Sequence, residues 1–278
     1  MAERGAYFLA NDGILNLATT FLNSFRVYNR SLPLCLIPYG DDIDDLSRLA
    51  DRYGFTIWPD GDRLRWCDDI SRMFHGRRVG QYRKLALWDG PFDEFVYIDC
   101  DTVVLANVGF VFDHLRGNDF VTSFSHVPET RRWVWKDTIH GTGALADDQI
   151  AYAASTGFVA SRRGCLAPAD VDTRLPAALA LADHMELLCC EQPLLNYLIV
   201  TSGRPYTSLH TIATDSGAWN IPMERWAGDP SYVVRAGRVV RPQSPTLMVH
   251  WAGEWQRARQ ENRPIPYADL WNYYSDPA

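Results

Sequence analysis

Glu94-Phe95-Val96-Tyr97-Ile98-Asp99-Cys100-Asp101-Thr102-Val103 is the stretch on which the fold of this 278-residue chain turns. Phe95 to Ile98 form a short, strongly apolar run of strand length. The strand runs straight into two carboxylates that are one residue apart. Side chains at i and i+2 of a strand face the same side. Asp99 and Asp101 are therefore expected to act together, at or just past the C-terminal end of the strand, where ligands of open α/β sheets gather. Two like charges so close repel each other unless a cation sits between them. A hard divalent ion shared with substrate phosphate oxygens is the usual solution.

Upstream, residues 6–10 read as a buried strand that stops at Asn11-Asp12-Gly13. Residues 16–28 carry apolar side chains at helical spacing, and 34–38 form a second strand ending in Tyr39-Gly40-Asp41-Asp42. Residues 43–53 read as a helix with Asp41 or Asp42 as its N-cap, and 55–58 as a third strand. This β-α-β-α-β rhythm predicts a mostly parallel, Rossmann-like sheet flanked by helices on both faces. Residues 60–80 are polar and rich in arginine, which predicts loop with a short helix, and 81–88 predict a helix. Downstream come a helical turn at 108–115, strands at 120–124, 156–161 and 246–249, and helices at 177–188 and 191–200. Residues 125–150, with Trp133, Trp135 and His140, look like poor core material and predict an exposed loop or lid. The Trp-rich loop could equally be a contact between two copies of the chain.

Composition narrows the function. Hydrophobic residues make up 47% of the chain, enough for one large α/β domain or two small ones, and the reading here is a single domain over 1–278. A net charge of −7 argues against a nucleic-acid partner, which needs a basic face. No basic segment followed by an apolar run opens the sequence, and no stretch is long and apolar enough to span a bilayer, so a cytoplasmic protein is expected. The six cysteines form no CxxC pair and read as small, reduced core residues.

Asp99-Cys100-Asp101-Thr102-Val103 also fits the Asp-x-Asp-x-[Thr/Val] signature of haloacid-dehalogenase-like phosphatases, in which the first Asp is a nucleophile. Ser123, Lys136 and Asp147-Asp148 could nominally supply the later motifs. That signature normally ends the first strand of its domain, whereas here three strands precede it, and the gap to Ser123 is short.

The order of motifs over roughly residues 5–257 resembles the GT-A glycosyltransferases, and within them family 8, the group of glycogenin and the bacterial lipooligosaccharide galactosyltransferases. The resemblance implies a GT-A fold and transfer of a hexose from a UDP-sugar to a hydroxyl acceptor, with retention of anomeric configuration. Residues 1–107 would form the nucleotide-binding half and 108–278 the sugar and acceptor half. Ala10, Asn11 and Asp12 match the segment that binds the base and ribose. Lys84, with Arg83 beside it, matches a cation held near the donor. Asp99-Cys100-Asp101 matches the metal motif, and His250, in His250-Trp251-Ala252-Gly253, the third protein ligand of Mn²⁺ or Mg²⁺. Thr156 and Gly157 match small residues lining the sugar pocket. Glu191-Gln192 matches an Asp-Gln pair in which the acid binds sugar hydroxyls and the amide lies near the anomeric carbon. Two positions depart from the family. Glu191 is one methylene longer than the family's Asp, and Gln256 stands where the family has a diphosphate-gripping Lys, so Arg257 or Arg259 is expected to substitute. A third possibility is a non-catalytic nucleotide-sugar-binding protein.

Overall fold

A computed structural model describes residues 3–229, 233–240 and 244–276. In chain order its strands are β1 (Arg4–Ala10), β2 (Leu34–Pro38), β3 (Phe55–Ile57), β4 (Glu94–Ile98), β5 (Thr102–Val104), β6 (Phe120–Thr122), β7 (Phe158–Arg162), β8 (Tyr206–Ser208), β9 (Met223–Trp226), β10 (Val233–Arg235), β11 (Arg238–Val240) and β12 (Thr246–His250). Seven of them form the main sheet in the order β3-β2-β1-β4-β7-β6-β8. Only β7 runs against the others, so the sheet is mostly parallel, as expected. A second sheet, β5-β12-β9, sits beyond the carboxyl end of β4, and β10 and β11 form a separate hairpin.

Both faces of the main sheet are covered, which is why its strands are apolar at nearly every position. Tyr7, Leu9, Phe95 and Tyr97 point into one core, while Ala6, Phe8, Ala10, Val96 and Ile98 point into the other. A third cluster, including Val103, Val249, Trp251 and Trp271, packs the small sheet against the helix Ala268–Ser275. The chain leaves β1 toward β2 and β3 on one side and places β4 on the other. This makes a crevice at the carboxyl ends of β1 and β4, the topological switch point. No helix among the described residues is long and apolar enough to cross a membrane.

Five local expectations are corrected. Residues 60–80 hold a 15-residue helix, Gly61–His75, rather than mostly loop. Arg65 and Arg72 face solvent and Arg63 pairs with Asp89, while Leu64, Cys67, Ile70 and Ser71 are buried along one side. Asp60 caps its start by accepting from the Arg63 amide, and Gly76, at φ +66°, ends it. Residues 43–53 form two short helices, Asp44–Arg48 and Ala50–Tyr53, and neither Asp41 nor Asp42 caps them. The third correction concerns 177–188, where the helix lies earlier, at Pro168–Ala180, followed by two single turns.

The fourth concerns 125–150, which is not poor core. Val134, Trp135 and Ile139 are fully buried in the main cluster, whereas Trp133 and His140 are exposed. The polar neighbours hide this in the sequence, because the segment coils in single helical turns with no sustained period to read.

Residues Gly80–Asp89 wind as a run of 3₁₀ turns, tighter than the predicted helix and almost wholly buried. Gly80 lets this run lie directly on the loop after β2, because a Cβ there would stand 2.2 Å from the Tyr39 carbonyl oxygen. The run carries Lys84 beneath the end of β4.

Candidate active site

β4 ends at Ile98, and residues 99–101 bend the chain back into β5. β5 pairs antiparallel with β12 so that His250 lies opposite Thr102. The bend is pinned on every side. The Asp99 amide donates to the Gly157 carbonyl (2.8 Å), the Trp251 amide to the Asp101 carbonyl (3.0 Å), and the Thr102 hydroxyl to the Asp99 carbonyl (2.8 Å). The result is convergence of three side chains from two sheets. His250 Nε2 stands 3.2 Å from Asp101 Oδ1 and 3.8 Å from Asp99 Oδ2. One ligand atom from each of the three lies within 4.8 Å of the others.

The arrangement fits a divalent ion. Two carboxylates and an imidazole are oxygen and nitrogen donors suited to such a cation. The space beside them is kept open by the absence of a side chain at Gly157, since a Cβ there would sit 2.4 Å from His250 Cε1 and 3.0 Å from Asp99 Oδ2. Gly157→Ala is therefore expected to displace the imidazole and weaken Mn²⁺ binding about 10-fold or more, the scale of losing a ligand's support. A calorimetric titration checks this, and unchanged affinity would show that the ring moves aside freely.

Charge follows from this packing. Burial pushes the His250 pKa down, but Asp101 and Glu224 outweigh it and hold the imidazole well above its ordinary value. Burial likewise raises the Asp101 carboxyl, and His250 more than reverses that, leaving it lowered. Without an ion these partners favour the protonated imidazole, and a metal binding at Nε2 would have to displace a proton. Mn²⁺ affinity should rise as pH climbs from the ordinary imidazole range toward the raised His250 pKa. Calorimetry in buffers of different ionisation enthalpy should show about one proton released per ion at pH 7; buffer-independent heats would contradict it.

A second charge cluster abuts the first. Lys84 Nζ lies 3.0 Å from Asp99 Oδ1 and 2.7 Å from Glu191 Oε1, and donates to the Thr156 carbonyl. It also sits 4.7 Å from the centre of the Tyr97 ring, whose hydroxyl donates to Asp99. Burial lowers the Lys84 pKa, yet its two carboxylates outweigh burial, so the ammonium stays charged. Glu191 is equally buried; burial raises its carboxyl, Lys84 opposes this, and the net is upward. The Thr156 hydroxyl donates to Glu191 (3.0 Å), while the Thr156 amide donates to Gln192 Oε1 (3.1 Å). Gln192 Nε2 in turn donates to the Trp133 carbonyl (2.9 Å), so its amide is held at both ends.

The structure thus brings Asp99, Asp101, His250, Lys84, Glu191, Gln192, Thr156 and Gly157 into one continuous site at the switch point. Other expected residues are engaged elsewhere. Arg83 is buried and forks onto Asp68 (2.9 and 2.7 Å) while donating to the Pro38 carbonyl, so its guanidinium braces the loop after β2. Asp12 accepts from the amides of Asp45 and Leu46, both at 3.0 Å, and so caps the helix that Asp41 or Asp42 was expected to cap. Asp41 pairs with Arg78 instead. Ala10 is buried, and the Asn11 side chain lies against Gly40. The Cys100 thiol is buried between the two acids, and burial first, then Asp101 and Asp99, push its pKa far up, so it is an inert filler. Gly253, at φ +80°, turns the chain into the helix Glu254–Gln260. Arg257 on that helix pairs with the buried Glu254 and lies over Trp226, while Gln256 and Arg259 are exposed.

Sequence reasoning missed Glu224 and the roles of Ser123 and Tyr97. His250 Nδ1 lies 2.6 Å from Glu224 Oε1, and the Ser123 hydroxyl donates to the other oxygen. Tyr97 could have been found, being two positions before Asp99 on the same strand face. Glu224 and Ser123 belong to no local motif, and only the pairing of β9 with β12 brings the former to His250.

A seven-stranded, mostly parallel sheet with an acid-bearing bend at its switch point and a small second sheet behind it is the architecture of the GT-A glycosyltransferases. Solved structures share this backbone. The WbbM bifunctional glycosyltransferase superimposes with a TM-score of 0.64 at 13% identity over all of this chain and 50% of its own. The galactosyltransferase LgtC, solved with donor and acceptor sugar analogues, gives 0.61 at 13% identity over 98% of this chain and 95% of its own. Mouse xyloside xylosyltransferase 1 gives 0.57 at 10% identity over 95% and 99%. The chain therefore spans about half of the first of these and nearly all of the other two. No family model matches the sequence and no curated protein matches it. The likeness is carried by the backbone, and what it establishes is the fold.

Proposed function

We propose that this chain is a metal-dependent glycosyltransferase that moves a hexose from a UDP-sugar to an acceptor hydroxyl with retention of configuration. The observation that carries the reading is the convergence of Asp99, Asp101 and His250 at the switch point of a GT-A fold, with Lys84 and Glu191 against them. Asp99, Asp101 and His250 would hold Mn²⁺ or Mg²⁺. The ion would neutralise charge on the departing nucleotide diphosphate.

The chain's own groups supply the rest. Glu191, fixed by Lys84 and Thr156, offers a carboxylate to sugar hydroxyls. Gly157 and Thr156 leave room for the sugar ring to approach the backbone. Gln192 is an amide held at both ends and a poor nucleophile, which favours attack of the acceptor on the face the nucleotide leaves, with the leaving phosphate taking the acceptor proton. Residues 1–107 would hold the nucleotide and 108–278 the sugar and acceptor, with Ala10, Asn11 and Asp12 at the base and ribose. With Arg257 paired to Glu254, the role of the family Lys at the diphosphate falls to a shift of Arg257 or to Arg259.

No observation favours the phosphatase alternative. Ser123 is bonded to Glu224, Lys136 to the Asp183 carbonyl, and Asp147 to His140. The deciding experiment is a calorimetric titration of UDP with Mn²⁺ and again with EDTA. Binding only with metal supports the proposal. Absence of UDP binding together with cleavage of a phosphomonoester, lost in Asp99→Asn, would replace it.

A further inference from the structure

Resting on the metal-dependent reading above, we propose that Glu224 is a positioning residue that selects the metal-binding tautomer of His250, and that Ser123 holds Glu224 in place. Nothing in the local sequence marks Glu224, and Ser123 is marked there only as a nominal phosphatase residue. Glu224 lies on β9, whose parallel register with β12 sets Glu224 opposite Met248 and Trp226 opposite His250, so Glu224 and His250 share a side of the small sheet. Its side chain is only 6% exposed. A buried carboxylate is costly unless it is paired and hydrogen-bonded. Among the described residues its partners are His250 Nδ1, at 2.6 Å, and the Ser123 hydroxyl. Ser123 is itself fully buried, immediately after β6. Among the described residues no lysine or arginine pairs with this carboxylate in the way Lys84 pairs with Asp99 and Glu191. The expense of burying Glu224 is thus directed at one atom of one ring.

The chemistry explains why that atom matters. An imidazole can give a metal only one nitrogen, and that nitrogen must carry a lone pair. With Nδ1–H donated to Glu224, the neutral ring keeps its remaining proton on Nδ1. Nε2, which faces Asp101 at 3.2 Å and Asp99 at 3.8 Å, is then the lone-pair nitrogen. Without an acceptor at Nδ1, the ring is free to put its proton on Nε2, where it would donate to the aspartates instead of joining them as a ligand. The carboxylate also fixes the ring plane and raises the basicity of the ligand nitrogen. Ser123 performs the same service one step back, since its hydroxyl occupies the second oxygen of Glu224 and leaves the first aimed at His250.

The test compares wild type, Glu224→Gln, Glu224→Met and Ser123→Ala in the full chain, with Mn²⁺ alone as the probe. Affinity is read from the free-ion electron paramagnetic resonance signal, and imidazole coordination from ¹⁴N modulation of the bound ion. Glutamine keeps an acceptor for Nδ1–H and can donate to Ser123, so Glu224→Gln is expected to retain the ¹⁴N modulation and most of the affinity. Glu224→Met has similar length and no acceptor, and is expected to bind about 10- to 100-fold more weakly and to lose the modulation. Glu224→Met with wild-type affinity and modulation would overturn the proposal. If Glu224→Met does not fold, Ser123→Ala decides: weakened affinity supports the relay, and unchanged affinity overturns it. A wild-type chain that binds no Mn²⁺ would overturn the metal-site reading itself, a result distinct from variants that match a binding wild type.

Discussion

Asp101→Ala should lower Mn²⁺ affinity by two orders of magnitude or more, on the reasoning that supporting residues alone account for about 10- to 100-fold, and should remove metal-dependent UDP binding with it. Asp101 is the better probe of the two acids. Asp99 is also bound to Lys84 and to the Tyr97 hydroxyl, so its removal would unbalance the neighbouring cluster. The ionised partner of Asp101 is His250, which keeps Glu224 on its other nitrogen. The variant should therefore fold and melt close to wild type while losing a charged ligand from the site. Titration of Mn²⁺ followed by calorimetry measures it directly. An affinity within about threefold of wild type would mean that the ion, if bound, sits elsewhere, and the proposal for this site would fall.

Lys84→Met should have the largest effect on stability. The ammonium is 3% exposed and lies between Asp99 and the equally buried Glu191. Methionine fills similar space but leaves Glu191 charged and unpaired in the interior, a loss of about 3–5 kcal/mol for breaking a buried pair. For a domain of this size that corresponds to a melting temperature lower by roughly 10 °C. Because burial already raises the Glu191 pKa, losing Lys84 should let that carboxyl protonate more readily, and the deficit should shrink as pH falls. Glu191→Gln in the Lys84→Met background removes the stranded charge and should recover a large part of the loss, which a double-mutant cycle would quantify. A single variant that melts within about 2 °C of wild type would show that the pair contributes little to folding, and Lys84 would then be held for the donor alone.

The strands of the first hundred residues were legible because each is a short apolar run closed by turn residues, and a run buried on both faces leaves little choice of structure. The same held for the acid pair at the end of β4, whose position after an apolar strand at a switch point follows from chain order alone. Local signals also misled. The charged residues of Gly61–His75 masked a helix that its Asp60 cap and Gly76 terminus define. Trp135 and Ile139 looked like loop because their burial depends on a surface made by residues far along the chain. Arg83 and Lys84 are neighbours with the same charge in the sequence, yet one braces Asp68 and the other enters the site. Consecutive side chains of a tightly wound segment point in different directions, and only the packed neighbours say which direction leads to the site. Asp12 likewise became a helix cap because the chain after β2 returns to it.

The composition and order of residues in this chain determine the sheet, its crevice and the acids at the crevice. His250 and Lys84 could be named from motif resemblance, but their meeting with the acids, and the carboxylate behind His250, were decided only when β12 paired with β5 and β9, and when the Gly80–Asp89 segment packed beneath β4. Strand formation depends on patterns a few residues long. The meeting of Asp101 with His250, and of His250 with Glu224, depends on sheet register between segments far apart in sequence, which no local pattern encodes.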